Sequence, residues 1–192
     1  MIAFDEVTAV CCAGLEIKES TIYGAGMGLF TTCTRRRGDA IGFYAGDFVL
    51  TSGTSLSKKQ TEFSIEVVGV DAVVVPPIVN GKIDFAQYPM SASNEPPVGQ
   101  RANMFLENDK FFAMKGVLYN LMAFYVARDV EAGEELLWDY GPLYDRVYAR
   151  GLPPEDPPPL GVMTEPRLRR LLAGRPDALW DIDFELGRFS DS

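Results

Sequence analysis

The chain contains no histidine. That one absence removes the Ser-His-Asp triad, the Cys-His pair, the HExxH zinc site and any imidazole general base. Cysteine is scarce too, limited to Cys11, Cys12 and Cys33. No two of them form a C-x-x-C pair, so no metal site is expected. Their odd number suits a reducing compartment better than a disulfide framework. Positive charge is short: 18 Lys and Arg stand against 27 Asp and Glu, for a net charge of −9. Phosphate contacts need Lys and Arg, so direct nucleic-acid binding is not expected. An acidic surface keeps a protein soluble, and it also speeds the encounter with a basic partner. No apolar run approaches the roughly 20 residues that span a bilayer. The opening MIAFDEVTAV has acids where a signal peptide has a basic region. The expectation is a soluble, intracellular protein. The cluster TRRR at 34–37 is too short to serve as a nuclear address and reads as a solvated turn.

What is present points to strands and turns. Of the 192 residues 47% are apolar, enough for a real core, and 18 glycines and 13 prolines break the chain into short pieces. Residues 1–13 read as a leader. Between 14 and 50, the runs LEI, GLFTT, AIGFYAG and FVL read as short strands with tight turns. TSGTSLSKKQ (51–60) reads as a loop, and FSIEVVGV with DAVVVPPIV as a strand pair stopped by Pro76 and Pro77. MFLE and KFFAMKG read as a hairpin turning at Asn108-Asp109. VLYNLMAFYVARDV favours strand, with helix a rival for its first half, and EAGEELLWDYG is a turn and a short strand. GPLYDRVYAR suggests a short helix, LPPEDPPPLG a proline-rich connector, and TEPRLRRLLAG a helix that starts at Thr164 and stops at Gly174. There is no internal repeat.

Three stretches and one short segment carry candidate chemistry. In YGAGMGLFTT (23–32) the glycines at 24, 26 and 28 allow backbone to approach a ligand, though a glycine-rich hairpin turn explains them equally. In AIGFYAG (40–46) Tyr44 sits at a strand end before Ala-Gly, as a channel residue or a half-buried sheet tyrosine. In SASNEPPVGQRAN (91–103) a proline-stiffened loop presents Asn94, for a ligand or for an ordinary Asx-turn. GEELLWDYG (133–141) places Tyr140 just before a glycine, an odd position for a ring that only packs.

In this order the segments GAGMGLF, GDAIGFYAG, the Asn94 loop ending in Ala102-Asn103, and ARDVEAGEELLWDYG resemble the SET domain of protein lysine methyltransferases. The resemblance covers about residues 14–144, and GEEL-x-x-DYG with the preceding ARDVEAG is its most specific part. It implies a β-rich α+β fold of several small sheets with a knot-like C-terminal threading. A helical, proline-rich tail over 145–192 would pack on the cofactor side. It also implies S-adenosylmethionine as cofactor and a basic, lysine-bearing protein such as a histone tail as substrate, with the nucleus as location in the histone case. The backbone of Gly26, Met27 and Gly28 would hold the methionine end of the cofactor, with Asn94 and Glu95 beside it. Tyr140 would be the catalytic tyrosine, and Tyr44 would line the lysine channel. Trp138, where the family has Phe or Tyr, would limit the number of methyl groups, pointing to mono- or dimethylation.

Four departures stand out. The family's Asn-His is Asn94-Glu95 here. Pro96, Pro97 and Gly99 lengthen the loop, and Ser91-Ala92-Ser93 replaces the usual Arg-Phe. The cysteine-rich zinc segments that flank many members have no counterpart. A glutamate at position 95 would either face the cofactor's positive charge or point to solvent. Tyr144, Tyr148 or Trp180 would cover the adenine. The absence of histidine agrees with methyl transfer, because a lysine amine buried beside a cationic sulfonium sheds its proton to water without a fixed base. The alternative is a catalytically silent peptide-binding module of the same fold.

Overall fold

Short apolar runs punctuated by glycine and proline fold here into five small antiparallel sheets, as seen in a computed structural model that describes residues 14–67, 71–107, 111–114, 117–120, 122–142 and 144–155. Residues 1–13, read as a leader, the expected helix over 164–174, and Trp180 lie outside the described residues. Strands β1 (Leu15–Glu19) and β2 (Met27–Thr31) form a hairpin with Leu15 opposite Thr31. Its turn needs residues that accept left-handed backbone, and Gly24 and Gly26 supply φ values of +80° and +78°.

The central sheet joins β3 (Ala40–Phe43), β12 (Ala123–Val126) and β9 (Met104–Glu107) in the order β3-β12-β9. Every residue of β12 is buried, which its unbroken apolar run AFYV permits. A register shift between Phe124 and Tyr125 bends it against β3. A second sheet has the order β4-β6-β5, from β4 (Asp47–Leu50), β6 (Ala72–Val75) and β5 (Ile65–Glu66), with Pro76 closing β6 as expected. Two hairpins complete the set: β7 (Ile78–Val79) with β8 (Lys82–Ile83), and β10 (Phe111–Met114) with β11 (Val117–Asn120). The core lies between the central sheet and β2, where Leu29, Ile41, Met104, Phe124 and Leu136 are fully buried.

The structure corrects three expectations. The run MFLE does not pair with KFFAMKG. As β9 it pairs with β12, and β10 pairs with β11 instead, because β12 brings a whole buried strand to the core edge of β9. The loop over 51–60 ends in a short helix, α1 (Lys58–Glu62). Ser57 and Gln60 form a reciprocal capping box that nucleates it. No helix forms among the described residues of GPLYDRVYAR. There the side chains of Arg146 and Arg150 turn back to acids on other segments rather than along a helix face. Among the described residues no helix is long and apolar enough to cross a membrane.

Residues 134–138 form no ladder of their own. They thread between β2 and the loop after Asn94. Leu136 N donates to Leu29 O at 2.7 Å on one side. On the other, Trp138 N donates to Asn94 O at 3.0 Å and Met104 N to Leu137 O at 2.9 Å. The bridges Asn94–Leu137 and Met104–Trp138 are parallel. Buried Asn103 stands in for a missing strand neighbour: its Oδ1 accepts from Leu137 N and its Nδ2 donates to Glu135 O, both at 2.8 Å.

Candidate functional site

The threaded segment carries Glu135, Trp138 and Tyr140 to the place where the β1–β2 turn meets the Asn94 loop. Glu135 is buried and accepts four hydrogen bonds. These come from Ser20 Oγ at 2.7 Å, Thr21 N at 2.8 Å, Thr21 Oγ1 at 2.6 Å and Asn94 Nδ2 at 3.1 Å. Burial pulls its pKa upward, but the bonds from Thr21, Ser20 and Asn94 outweigh that, and the carboxylate lies below its ordinary range. The side chain runs directly under Gly28. A Cβ there would sit inside contact distance of Glu135 Oε1, 2.9 Å from its Cδ and 3.1 Å from Ser20 Cα. The glycine at 28 is thus explained by close approach, while the one at 26 is explained by its turn.

Asn94 joins the two halves of the site. Its Nδ2 also donates to Met27 O at 3.0 Å. Both amide hydrogens therefore have acceptors, and Oδ1 remains as an acceptor with no partner among the described residues. Gly26 and Met27 are exposed, and the space where a Gly26 Cβ would project is empty within 4 Å.

Next to Asn94, the Ser93 carbonyl accepts the Tyr140 hydroxyl at 2.9 Å. Burial pushes the Tyr140 phenol well above its ordinary pKa, and the neighbouring Tyr148 and Tyr144 push it the same way. The hydroxyl therefore stays neutral across the physiological range. Tyr140 belongs to a continuous aromatic row. Tyr44 lies 6.3 Å from Phe124, Phe124 lies 5.0 Å edge-on to Trp138, Trp138 lies 5.0 Å from Tyr140, and Tyr140 lies 4.8 Å edge-on to Tyr144. Tyr44 is buried and its hydroxyl donates to Phe63 O at 2.5 Å, so it offers a wall rather than a free hydroxyl. Burial raises its pKa as well. Tyr148, half-exposed, is pushed up to about 12 by burial and by Glu95.

Glu95 does not point to solvent. It is buried, and its carboxylate takes both Nε and Nη2 of Arg146, at 2.6 and 2.5 Å, together with Tyr140 N at 3.1 Å. The residues singled out in the sequence thus converge: Gly26, Met27, Gly28 and Asn94 on one side, Tyr140, Trp138 and Tyr44 on the other, and Glu95 behind Tyr140. Sequence reasoning missed Glu135, Phe124 and Arg146. For Glu135 a signal existed, since it lies within GEEL. For Arg146 there was none, because its partner is 51 residues away.

No protein-family model matches the chain, and no curated protein matches it. Among solved structures, one that it resembles is that of a Plasmodium falciparum protein named as a candidate histone methyltransferase. The TM-score is 0.45 at 14% sequence identity, and the match covers 68% of this chain and 96% of that one.

Proposed function

We propose, on the geometry of the site, that this chain is a SET-type domain that transfers a methyl group from S-adenosylmethionine to a lysine side chain of a basic protein. The observation that carries the reading is the junction at Ser93-Asn94. One residue holds the Tyr140 hydroxyl and the next holds the Met27 carbonyl, so an aromatic tyrosine site and an open glycine shelf share one rigid hinge. The parallel bridges of residues 137 and 138 support the knot-like threading that such a fold has.

The residues present fit the cofactor's methionine end. That end carries an ammonium, and the shelf offers Asn94 Oδ1, which has no partner among the described residues, beside the ionised Glu135. The exposed backbone at Gly26 and Met27 leaves room beside it. When bound, the cofactor would supply an electrophilic methyl on a sulfonium sulfur, open to in-line attack by an amine lone pair, with the C–S electron pair leaving on sulfur.

The chain's own residues supply alignment and dryness. A free lysine has a pKa of about 10.4, and an apolar, ring-lined channel favours its neutral form. The Tyr140 oxygen, fixed by its bond to Ser93, presents lone pairs to the amine and to the polarised methyl. Tyr44, Trp138 and Tyr144 exclude water, and their faces tolerate the methylated cation that forms. Positioning of this kind is worth several kcal/mol in an in-line reaction, about 7–11 at the best-aligned limit. Trp138 is pinned against Phe124 and narrows the space beside Tyr140, which favours mono- or dimethylation. The net charge of −9 suits a basic substrate such as a histone tail.

Calorimetry with S-adenosylmethionine tests the reading. Binding that weakens in Asn94→Ala is the expected result. No binding by the wild type would move the chain to a silent peptide-binding module.

A further inference from the structure

Arg146 and Glu95 form a buried ion pair, with side chains only 9% and 1% exposed. Glu95 holds the guanidinium through both Nε and Nη2. Nη2 also donates to Gly141 O at 2.5 Å, and Nη1 donates to Tyr144 O at 2.9 Å. The guanidinium lies 5.3 Å from the Tyr144 ring centre, and its Nη2 is 3.9 Å from Asp139 Oδ1. Asp139 is in turn held by Arg150 through Nε at 2.8 Å and through Nη2. On the other side, Glu95 accepts the Tyr140 backbone N–H. One ion pair therefore fixes the backbone N–H of Tyr140, the Gly141 carbonyl, and the Tyr144 ring that meets Tyr140 edge-on.

A buried ion pair is a poor device for stability alone. Desolvating two charges offsets much of their attraction, and apolar replacements of similar volume often do as well. What such a pair does provide is direction. The guanidinium fork has fixed geometry, and this one bonds Glu95, the Gly141 carbonyl next to Tyr140, and the carbonyl of Tyr144, whose ring meets Tyr140 edge-on.

We propose that Arg146, locked by Glu95, is a positioning residue that sets the Tyr140 ring and hydroxyl for methyl transfer. The pair stands where the sequence has Asn94-Glu95 in place of Asn-His. The carboxylate at 95 serves the tyrosine side of the site and not the cofactor shelf. This rests on the methyl-transfer reading above.

The test uses the full chain in four forms: wild type, Arg146→Lys, the double variant Glu95→Gln/Arg146→Met, and Tyr140→Phe. A Trp180→Phe background leaves Trp138 as the reporting tryptophan. Arg146→Lys keeps the charge, so Glu95 is not left bare and the protein folds. The double variant removes both charges together. The expected result is a thermal midpoint and an S-adenosylmethionine Kd close to wild type, the Kd within about threefold. Single-turnover transfer to a basic peptide falls about 10- to 100-fold in both Arg146 variants, as a misplaced reacting group does. Trp138 emission, which senses the Tyr140 ring at 5.0 Å, shifts in both. Wild-type transfer rates in either variant would overturn the proposal, because the pair would then serve the fold alone. If the wild type transfers no methyl at all, the proposed function fails, and Trp138 emission decides the positioning role by itself. A shift in Arg146→Lys supports it, and an unchanged spectrum overturns it.

Discussion

Asn94 is held from two sides: its Nδ2 donates to the Met27 carbonyl at 3.0 Å and to the Glu135 carboxylate at 3.1 Å. The amide therefore has one orientation, with Oδ1 left without a partner among the described residues. Glu135→Ala frees it. The variant is expected to bind S-adenosylmethionine at least about tenfold more weakly. It also loses about 1.5–3 kcal/mol of stability, the usual worth of hydrogen bonds to a charged group. Calorimetry and denaturant titration read the two effects separately. A Kd unchanged in Glu135→Ala would break the link between the two residues.

Gly28 lacks a side chain because Glu135 occupies that space. Gly28→Ala is expected to destabilise by about 1–3 kcal/mol through overpacking. Combined with Glu135→Ala, the added methyl meets no carboxylate. The double variant should then cost less than the sum of the singles, since contacting residues couple. Strict additivity in chemical denaturation would show that the crowding lies elsewhere.

The carboxylates of Glu135 and Asp139 both lie below their ordinary range. Burial opposes the shift in each, and hydrogen bonds from Thr21 and from Arg150 respectively outweigh it. A depressed folded pKa means the unfolded chain binds the proton first as pH falls. The stability these groups contribute is present above their unfolded values, near pH 4, and is lost below it as pH approaches the folded values. The thermal midpoint should therefore hold between about pH 5 and 7 and fall steeply below about 4. Glu135→Gln should flatten that fall, and an equally steep acid limb in the variant would assign the loss to other groups.

Trp138 stands edge-on to Phe124 with its ring centre 5.0 Å from that of Tyr140, so its bulk sits beside the Tyr140 ring. Trp138→Phe opens that space and should shift products toward higher methylation of one lysine, read by mass spectrometry of a peptide substrate. The substitution leaves a cavity costing roughly 1–2 kcal/mol, less than truncation to alanine. The same product distribution as wild type would mean the indole does not bound the methyl site.

Local signals in the sequence were legible where the chemistry is local. Gly24 and Gly26 mark the β1–β2 turn, Pro76 ends β6, and Ser57 with Gln60 spells out the cap of α1, a signal present but passed over. The partners of strands were not legible. Whether β9 pairs with β10 or β12 is decided by burial of Phe124 and Met104, not by residues near the turn. The same holds in the site. Asn94 and Tyr140 stand out by their neighbours, but the Glu95–Arg146 pair spans 51 residues and exists only once the chain has closed on itself. Among the described residues of 141–150 no helix forms, and Arg146 serves Glu95 and Gly141 instead of a helix face.

The most direct measurement is transfer of labelled methyl from S-adenosylmethionine to core histones and basic peptides, by wild type and by Tyr140→Phe. The account predicts transfer by the wild type and a loss of at least about 10²-fold in the variant, the usual effect of removing one preorganised hydroxyl. Cofactor affinity should be retained, because Tyr140 bonds Ser93 and not the Met27 shelf. Equal transfer by both proteins would contradict the role given to Tyr140. Absence of transfer by the wild type, with no cofactor bound, would contradict the enzyme itself.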